Sequence, residues 1–333
     1  MDIFGYNNQE RRDSGMENND MLRGELQTIN WYPGHMARAK RKLMEQLSRV
    51  DVVVELCDAR LPFSSRNPEL DALLRGKKRV LVRNKADLAQ ENETNAWISY
   101  FKSQGVNAIA FSARRSKTKD LFARIEESAR EAVERQAARG IKKTVRVMVI
   151  GVPNVGKSTF INRLNGASIA KTGDRPGVPR SNQWVKVTPY LELLDTPGLL
   201  WPRLDDQKAA RRLYYIGSIR DGVVDHQMLA ILLLEDMLSV RREEVIERFH
   251  LKEPIEPGVA LLENACRGRG WLLPGAVADT DRGGSVVRDE FRAGKLGAST
   301  RERAPRRKDN TQKPAEKPAQ PKEQPNEQPK EEV

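Results

Sequence analysis

The stretch Gly151-Val152-Pro153-Asn154-Val155-Gly156-Lys157-Ser158-Thr159 constrains this chain more than any other. It follows the apolar run 145–150 and leads into Phe160, Ile161 and Leu164, the order of strand, glycine-rich turn and helix that a phosphate-binding loop needs. Gly151 and Gly156 let successive backbone N–H groups converge on an anion, and the helix that follows adds the positive end of its dipole. Lys157 then reaches the β- and γ-phosphates, and the Ser158 hydroxyl can ligate Mg²⁺. A chain with this motif is expected to be α/β, with its ligand at the carboxyl ends of parallel strands.

Three further boxes fit that expectation. Asn84-Lys85-Ala86-Asp87 follows the β-branched run 79–83. The Asp87 carboxylate can accept two hydrogen bonds from the N1–H and 2-amino edge of guanine, an edge adenine lacks. A buried acid left unpaired by the wrong base costs about 1–3 kcal/mol, so the box selects guanine. Ser112-Ala113 ends a third strand, 107–111, where the Ala113 N–H is expected to meet the guanine carbonyl oxygen. Asp195-Thr196-Pro197-Gly198 ends the hairpin formed by 183–187 and 191–194. There Asp195 holds Mg²⁺ through a water, and the Gly198 N–H donates to the γ-phosphate. The expected nucleotide contacts are therefore Asn84, Lys85, Asp87, Ser112, Ala113, 154–159, Asp195 and Gly198. The loop Gly173-Asp174-Arg175-Pro176-Gly177-Val178-Pro179-Arg180 has no apolar period and takes the position of a first switch.

In the usual guanine-nucleotide domain the phosphate loop comes first and Asn-Lys-x-Asp late. Here the base boxes precede the phosphate loop, so the same sheet requires a circularly permuted chain joined through the linker near Gly140. The expected architecture is a permuted G domain over 28–204, built on a mostly parallel six-stranded sheet. A small all-helical domain follows over 205–297, with helices at 211–219, 227–240, 243–249, 258–266 and 285–293. The polar leader 1–27 and the Pro-, Lys- and Glu-rich tail 298–333 have the composition of disordered segments. The permutation leads both switches straight into the helical domain, which is expected to receive the γ-phosphate signal through 199–204.

Charge points to the partner class. Lys and Arg number 58 against 46 Asp and Glu, a formal net charge of +12. Such an excess suggests a polyanion, most simply RNA, with a solvated basic surface as the plainer alternative. With Cys57 and Cys266 as the cysteines, no disulfide framework or Cys-rich zinc site is available. The longest uncharged apolar run, 228–234, falls far short of the roughly 20 residues that span a bilayer. A cytoplasmic protein, monomeric when free, is the expectation.

The set Trp31-Tyr32-Pro33-Gly34-His35-Met36, Asp58-Ala59-Arg60, Asn84 to Asp87, Gly151 to Ser158, Asp174-Arg175-Pro176-Gly177 and Asp195 to Gly198 resembles the RbgA/YlqF family of circularly permuted GTPases. The likeness covers about 29–300 and includes Phe291-Arg292-Ala293-Gly294-Lys295-Leu296-Gly297. It implies a GTPase acting in late assembly of the large ribosomal subunit, stimulated by that particle, with an RNA-binding helical domain. Where a Ras-like enzyme has a water-orienting Gln, this chain has Leu199, so intrinsic turnover is expected to be slow. The resemblance assigns His35 as the catalytic substitute, beside Lys157 at the phosphates. It also matches Asn154 to the asparagine that holds a potassium ion in related GTPases. The family's switch threonine is replaced by Pro179, which leaves Ser181 or a backbone carbonyl to reach Mg²⁺. Leu199 and Pro179 together keep a second reading open, a non-catalytic GTP-dependent RNA-binding module.

Overall fold

The computed structural model describes residues 34–166, 184–196, 198, 206–219 and 225–305. The leader, the first-switch loop with Pro179 and Ser181, residues 199–205 including Leu199, and the tail from 306 lie outside these residues.

β1, Val52–Asp58, is buried at every position, and a β-branched run with no exposed face belongs in the middle of a parallel sheet. β2 (Lys78–Asn84) and β4 (Val145–Gly151) flank it in parallel. β3 (Asn107–Ala110) extends the sheet beside β2, and β6 (Leu191–Asp195) beside β4. β5 (Trp184–Thr188) closes the edge antiparallel to β6, as the alternating pattern of the hairpin requires. The result is the expected six-stranded sheet, in the order β3-β2-β1-β4-β6-β5.

Side-chain alternation sends Val52, Val54 and Leu56 to one face, where Leu121 and Ile125 of α4 (Lys119–Ala137) and Phe160 and Ile161 of α5 (Lys157–Asn165) cover them. The other face carries Val53 under Leu43 and Leu47 of α1 (Gly34–Leu47) and Leu70 of α2 (Glu69–Leu73). Beyond it, Cys57 and Leu81 lie under Trp97 and Phe101 of α3 (Glu91–Ser103). Each fully buried aliphatic contributes about 1.5–3 kcal/mol. Burial pushes the Cys57 thiol up to about 12, far from a reactive thiolate.

The C-terminal region is built around α7 (His226–Leu238), which is apolar on nearly every side and is buried from Leu229 to Leu234. Asp225 caps it by accepting from Gln227 N and Met228 N, each at 3.0 Å. Around it lie α6 (Gln207–Tyr215), α8 (Arg242–Phe249), α9 (Val259–Gly268) and α10 (Thr280–Ala293). One short hairpin, Leu272–Leu273 with Val277–Ala278, adds a little sheet to the helical architecture. It turns at Pro274-Gly275, a pair that breaks a helix and makes a turn. The two regions share a core, since Val152 and Val155 of the phosphate loop belong to the same cluster as Tyr215, Ile216 and Phe291.

The chain after Gly297, assigned by composition to the tail, is packed where it is described. Ser299, Thr300 and Glu302 are buried. The Glu302 carboxylate accepts from the N–H of Phe63 at 2.6 Å, the N–H and hydroxyl of Ser64, and Arg212 Nη1 at 3.0 Å. Its carbonyl takes the Trp97 indole N–H at 2.8 Å. A short polar segment of this kind has no apolar period and is held by its hydrogen bonds, which composition does not register. Glu302→Ala, which strands several of these donors, is expected to cost about 3 kcal/mol and to lower the melting temperature; an unchanged denaturation midpoint would refute the strap.

Candidate functional site

The boxes converge because their strands are neighbours. Residues 84–87 begin at the last residue of β2, 112–113 follow β3, 151–158 begin at the last residue of β4, and Asp195, Thr196 and Gly198 lie at the end of β6, all at the carboxyl end of the sheet. Asn84, buried at 1% exposure, joins the first of these to the phosphate loop: its Nδ2 donates to Val155 O at 2.8 Å. Its Oδ1 accepts from Ala113 N at 3.3 Å. The Ala113 N–H expected at the guanine carbonyl is thus engaged with Asn84, and it meets a base only by exchanging that bond. Ser112 is buried and organises its turn, accepting from Arg115 N at 3.2 Å on its hydroxyl. Lys85 takes a left-handed backbone with φ 59°, and Asp87 lies in the single 3₁₀ turn Ala86–Leu88 that follows. The Asp87 carboxylate is 9% exposed and has Arg115 at 4.0 Å.

At the phosphate loop, Gly156 caps α5 with φ 92°, leaving no room for a Cβ against Asn84 Nδ2. The Lys157 ammonium donates to Gly151 O at 3.1 Å and Val152 O at 2.9 Å. It therefore lies folded along the loop on which phosphates would sit. Ser158 and Thr159 are exposed at the first turn of α5. Asp195 is the last residue of β6, opposite Val149. Thr196, which carries no role in the sequence reading, fixes this strand end by donating its hydroxyl to Val149 O at 2.6 Å. Gly198 lies so close to the loop that a Cβ there would stand 2.8 Å from Pro153 Cα. His35 lies in the first turn of α1, but its side chain is outside the described residues, as is that of Asp195.

A buried ion pair underlies the base box. Asp58, at the end of β1, is fully buried and holds Arg60 through Nε and Nη2, both at 2.9 Å. It also pairs with Lys85 at 3.1 Å. Burial alone would raise its pKa, but the Arg60 and Lys85 charges hold the carboxyl well below the usual carboxylate range. Burial pulls the Lys85 ammonium the other way, below the ordinary lysine value, with Asp58 opposing it. The Lys85 ammonium also donates to Asn154 O at 2.7 Å. Asp58 thus braces the phosphate loop through a lysine of the base box. The Asp58-Ala59-Arg60 motif is visible in the sequence, yet its partners lie too far away in the chain for spacing to reveal.

The phosphate loop also meets the C-terminal region. Asn154 Nδ2 donates to Gly217 O at 2.5 Å, and the Ser218 hydroxyl donates to Pro153 O at 2.6 Å. Arg292 of α10 caps α6 from outside, donating to Tyr215 O at 3.0 Å and Tyr214 O at 2.9 Å.

Comparison with known proteins decides the kinship. A family model described as a 50S ribosome-binding GTPase matches residues 146–256. A ribosome biogenesis GTPase A from Bacillus cereus is 44% identical over 276 residues, covering 82% of this chain and 93% of that protein. The chain belongs to the ribosome biogenesis GTPase A family. A ribosome biogenesis GTPase A from Thermotoga maritima is 30% identical over 276 residues, 83% of this chain and 94% of the other. Among solved structures, GNP-bound YlqF from T. maritima superposes with a TM-score of 0.59 at 28% identity, covering 80% of this chain and 98% of that one. The GDP-bound structure of the same protein gives 0.58.

As a member of the ribosome biogenesis GTPase A family, the protein is a GTP-binding GTPase with a role in ribosome assembly. The Asp58 pairing has a pH signature. The folded carboxyl titrates below its unfolded value of about 3.9, so its stabilisation is present above that pH and is lost as pH falls below it. Asp58→Asn is expected to cost about 3–5 kcal/mol at neutral pH and to flatten the acid limb of stability; denaturant unfolding of both proteins from about pH 6 to pH 3 measures this, and an identical acid slope would exclude Asp58 as the group.

Proposed function

We propose that this GTPase hydrolyses GTP to GDP and phosphate while bound to an assembling large ribosomal subunit, and that the particle stimulates turnover. The observation that carries the reading is the convergence of a guanine box, a phosphate loop and residues 195–198 at one end of the sheet, next to a chain in which Leu199 follows Gly198. A leucine cannot orient water by hydrogen bonding, so the in-line attack needs a group supplied from elsewhere. On this reading the particle brings His35 into place and completes the site.

Asp87 selects guanine, with Asn84, Lys85, Ser112 and Ala113 shaping its pocket. N–H groups of 154–159 and the Lys157 ammonium, released from Gly151 O and Val152 O, hold the phosphates. The exposed Ser158 hydroxyl and the Asp195 carboxylate, from adjacent strand ends, suit a hard divalent cation. Bound there, Mg²⁺ neutralises charge on the phosphate oxygens. Gly198 donates its N–H to the γ-phosphate, a contact that ends with hydrolysis. Asn154, with its Nδ2 occupied by Gly217, has an Oδ1 to offer potassium. The helical region 205–297 engages rRNA, and the protein works in the cytoplasm as a monomer when free of the particle. Among the described residues no helix is long and apolar enough to cross a membrane.

GTP turnover is to be measured with and without purified large ribosomal subunits, in potassium and in sodium, with ATP as control. Strong stimulation is expected, weakened in sodium and absent with ATP. His35→Ala is expected to remove most of the stimulation while leaving subunit binding intact. Nucleotide-dependent subunit binding with no stimulation would replace this reading with the non-catalytic binding module.

A further inference from the structure

The base box is held on its inner side by Asn84 and Asp58, but its outer side is built by the far end of the chain. Gly294, the residue after α10, packs so tightly on the box that a Cβ would stand 2.5 Å from Leu88 Cδ2. It has φ 77° and accepts this position because it carries no side chain. Three hydrogen bonds continue the contact. Ser299 N donates to Leu88 O at 3.0 Å. Gln90 N donates to Thr300 Oγ1 at 3.1 Å, and Thr300 N donates back to Gln90 Oε1 at 3.3 Å. One strand end away, Arg60 Nη1 donates to Phe291 O at 2.8 Å, with its guanidinium 4.7 Å from the centre of the Phe291 ring. Arg301 N donates to Arg60 O at 2.9 Å.

We propose that the segment 291–302 is the outer wall of the guanine site, and that Gly294 and Thr300 are positioning residues for Asp87. Asp87 lies in a single 3₁₀ turn between Lys85, a left-handed residue fixed by Asp58 and Asn154, and Leu88. The carbonyl of Leu88, its side chain and Gln90 two residues further on are all taken by 294–300. A carboxylate that must meet two donors of one base edge depends on both flanks of its turn, and the C-terminal flank is set by this wall. The motif 291–297, which the resemblance includes without a role, thereby acquires one at the base. By reciprocity, an occupied base site holds the wall in place as firmly as the wall holds the site.

The test uses the full chain without ribosomes and therefore stands apart from the proposal of particle-stimulated turnover. Affinities for GDP and IDP are measured for wild type, Gly294→Ala and Thr300→Val. IDP lacks the 2-amino group, so the GDP-over-IDP preference reports how well Asp87 meets the base edge. Gly294→Ala is expected to weaken GDP binding about tenfold, equivalent to about 1.4 kcal/mol, and to narrow the preference. Thr300→Val is expected to shift both in the same direction by a smaller factor, and it carries the test if Gly294→Ala does not fold. Val245→Ala, which opens a cavity in the C-terminal core, serves as the comparison for simple destabilisation and should leave the preference unchanged. Wild-type GDP affinity and preference in the folded variants would overturn the proposal. So would a parallel loss of GDP and IDP binding at constant preference, or an equal narrowing in Val245→Ala.

Discussion

The fold turns on a carboxylate that has no access to water. Asp58 terminates the central strand, where both faces of the sheet are covered, and a charge in that position is tolerable only with charged partners and hydrogen bonds around it. Arg60 and Lys85 supply the charge, and each makes a further bond, Arg60 to Phe291 O and Lys85 to Asn154 O. One buried acid thereby ties together the strand end, the base box, the phosphate loop and the last helix. Glu55, buried on the opposite face of the same strand, is met similarly by Arg66 and Arg79, whose charges keep its pKa low against the effect of burial. The central strand is thus a hydrophobic element that also anchors two polar networks.

Much of this was legible in the sequence, and the reasons are local. The strand-turn-helix grammar around 151–158 and the boxes at 84–87, 112–113 and 195–198 depend on turn chemistry and on parallel strands ending together. They lie where that logic puts them. The order of the boxes sufficed to show the permutation. What failed to register was set by contacts distant in sequence. The pattern began α10 near Ser285, whereas it starts at Thr280, because Gly283 and Gly284 weaken a helical pattern. Their smallness serves packing: a Cβ on Gly283 would stand 2.3 Å from Cys266 Sγ. The pattern likewise began α6 at Arg211 and missed the Asp206 cap, five residues earlier. Glu55 was absorbed into an apolar run because its partners come from elsewhere in the chain, Arg66 from the loop after β1 and Arg79 from β2.

The permutation also changes what the C-terminal region is attached to. In the chain order, β6 ends at Asp195 and the next described element is α6. In space, α6 returns immediately to the phosphate loop, where Gly217 and Ser218 touch Asn154 and Pro153. The C-terminal region is therefore connected to this end of the sheet twice, once along the chain and once by contact. A change at the phosphates has a short path to the helices, and the shared core around Tyr215 and Phe291 leaves little slack to absorb it.

The outer wall of the guanine box has a consequence for how the protein is made. Residues 84–88 leave the ribosome early in translation, and Gly294 and Thr300 leave among the last of the described chain. Domains generally fold as they emerge, from the N-terminus onward, yet with the wall proposed above the base pocket lacks a side until 291–302 have been made. A nascent chain would then carry the phosphate loop well before it could hold guanine firmly. On that proposal firm nucleotide capture waits for 291–302, and a chain cut short before α10 would be born without a finished pocket.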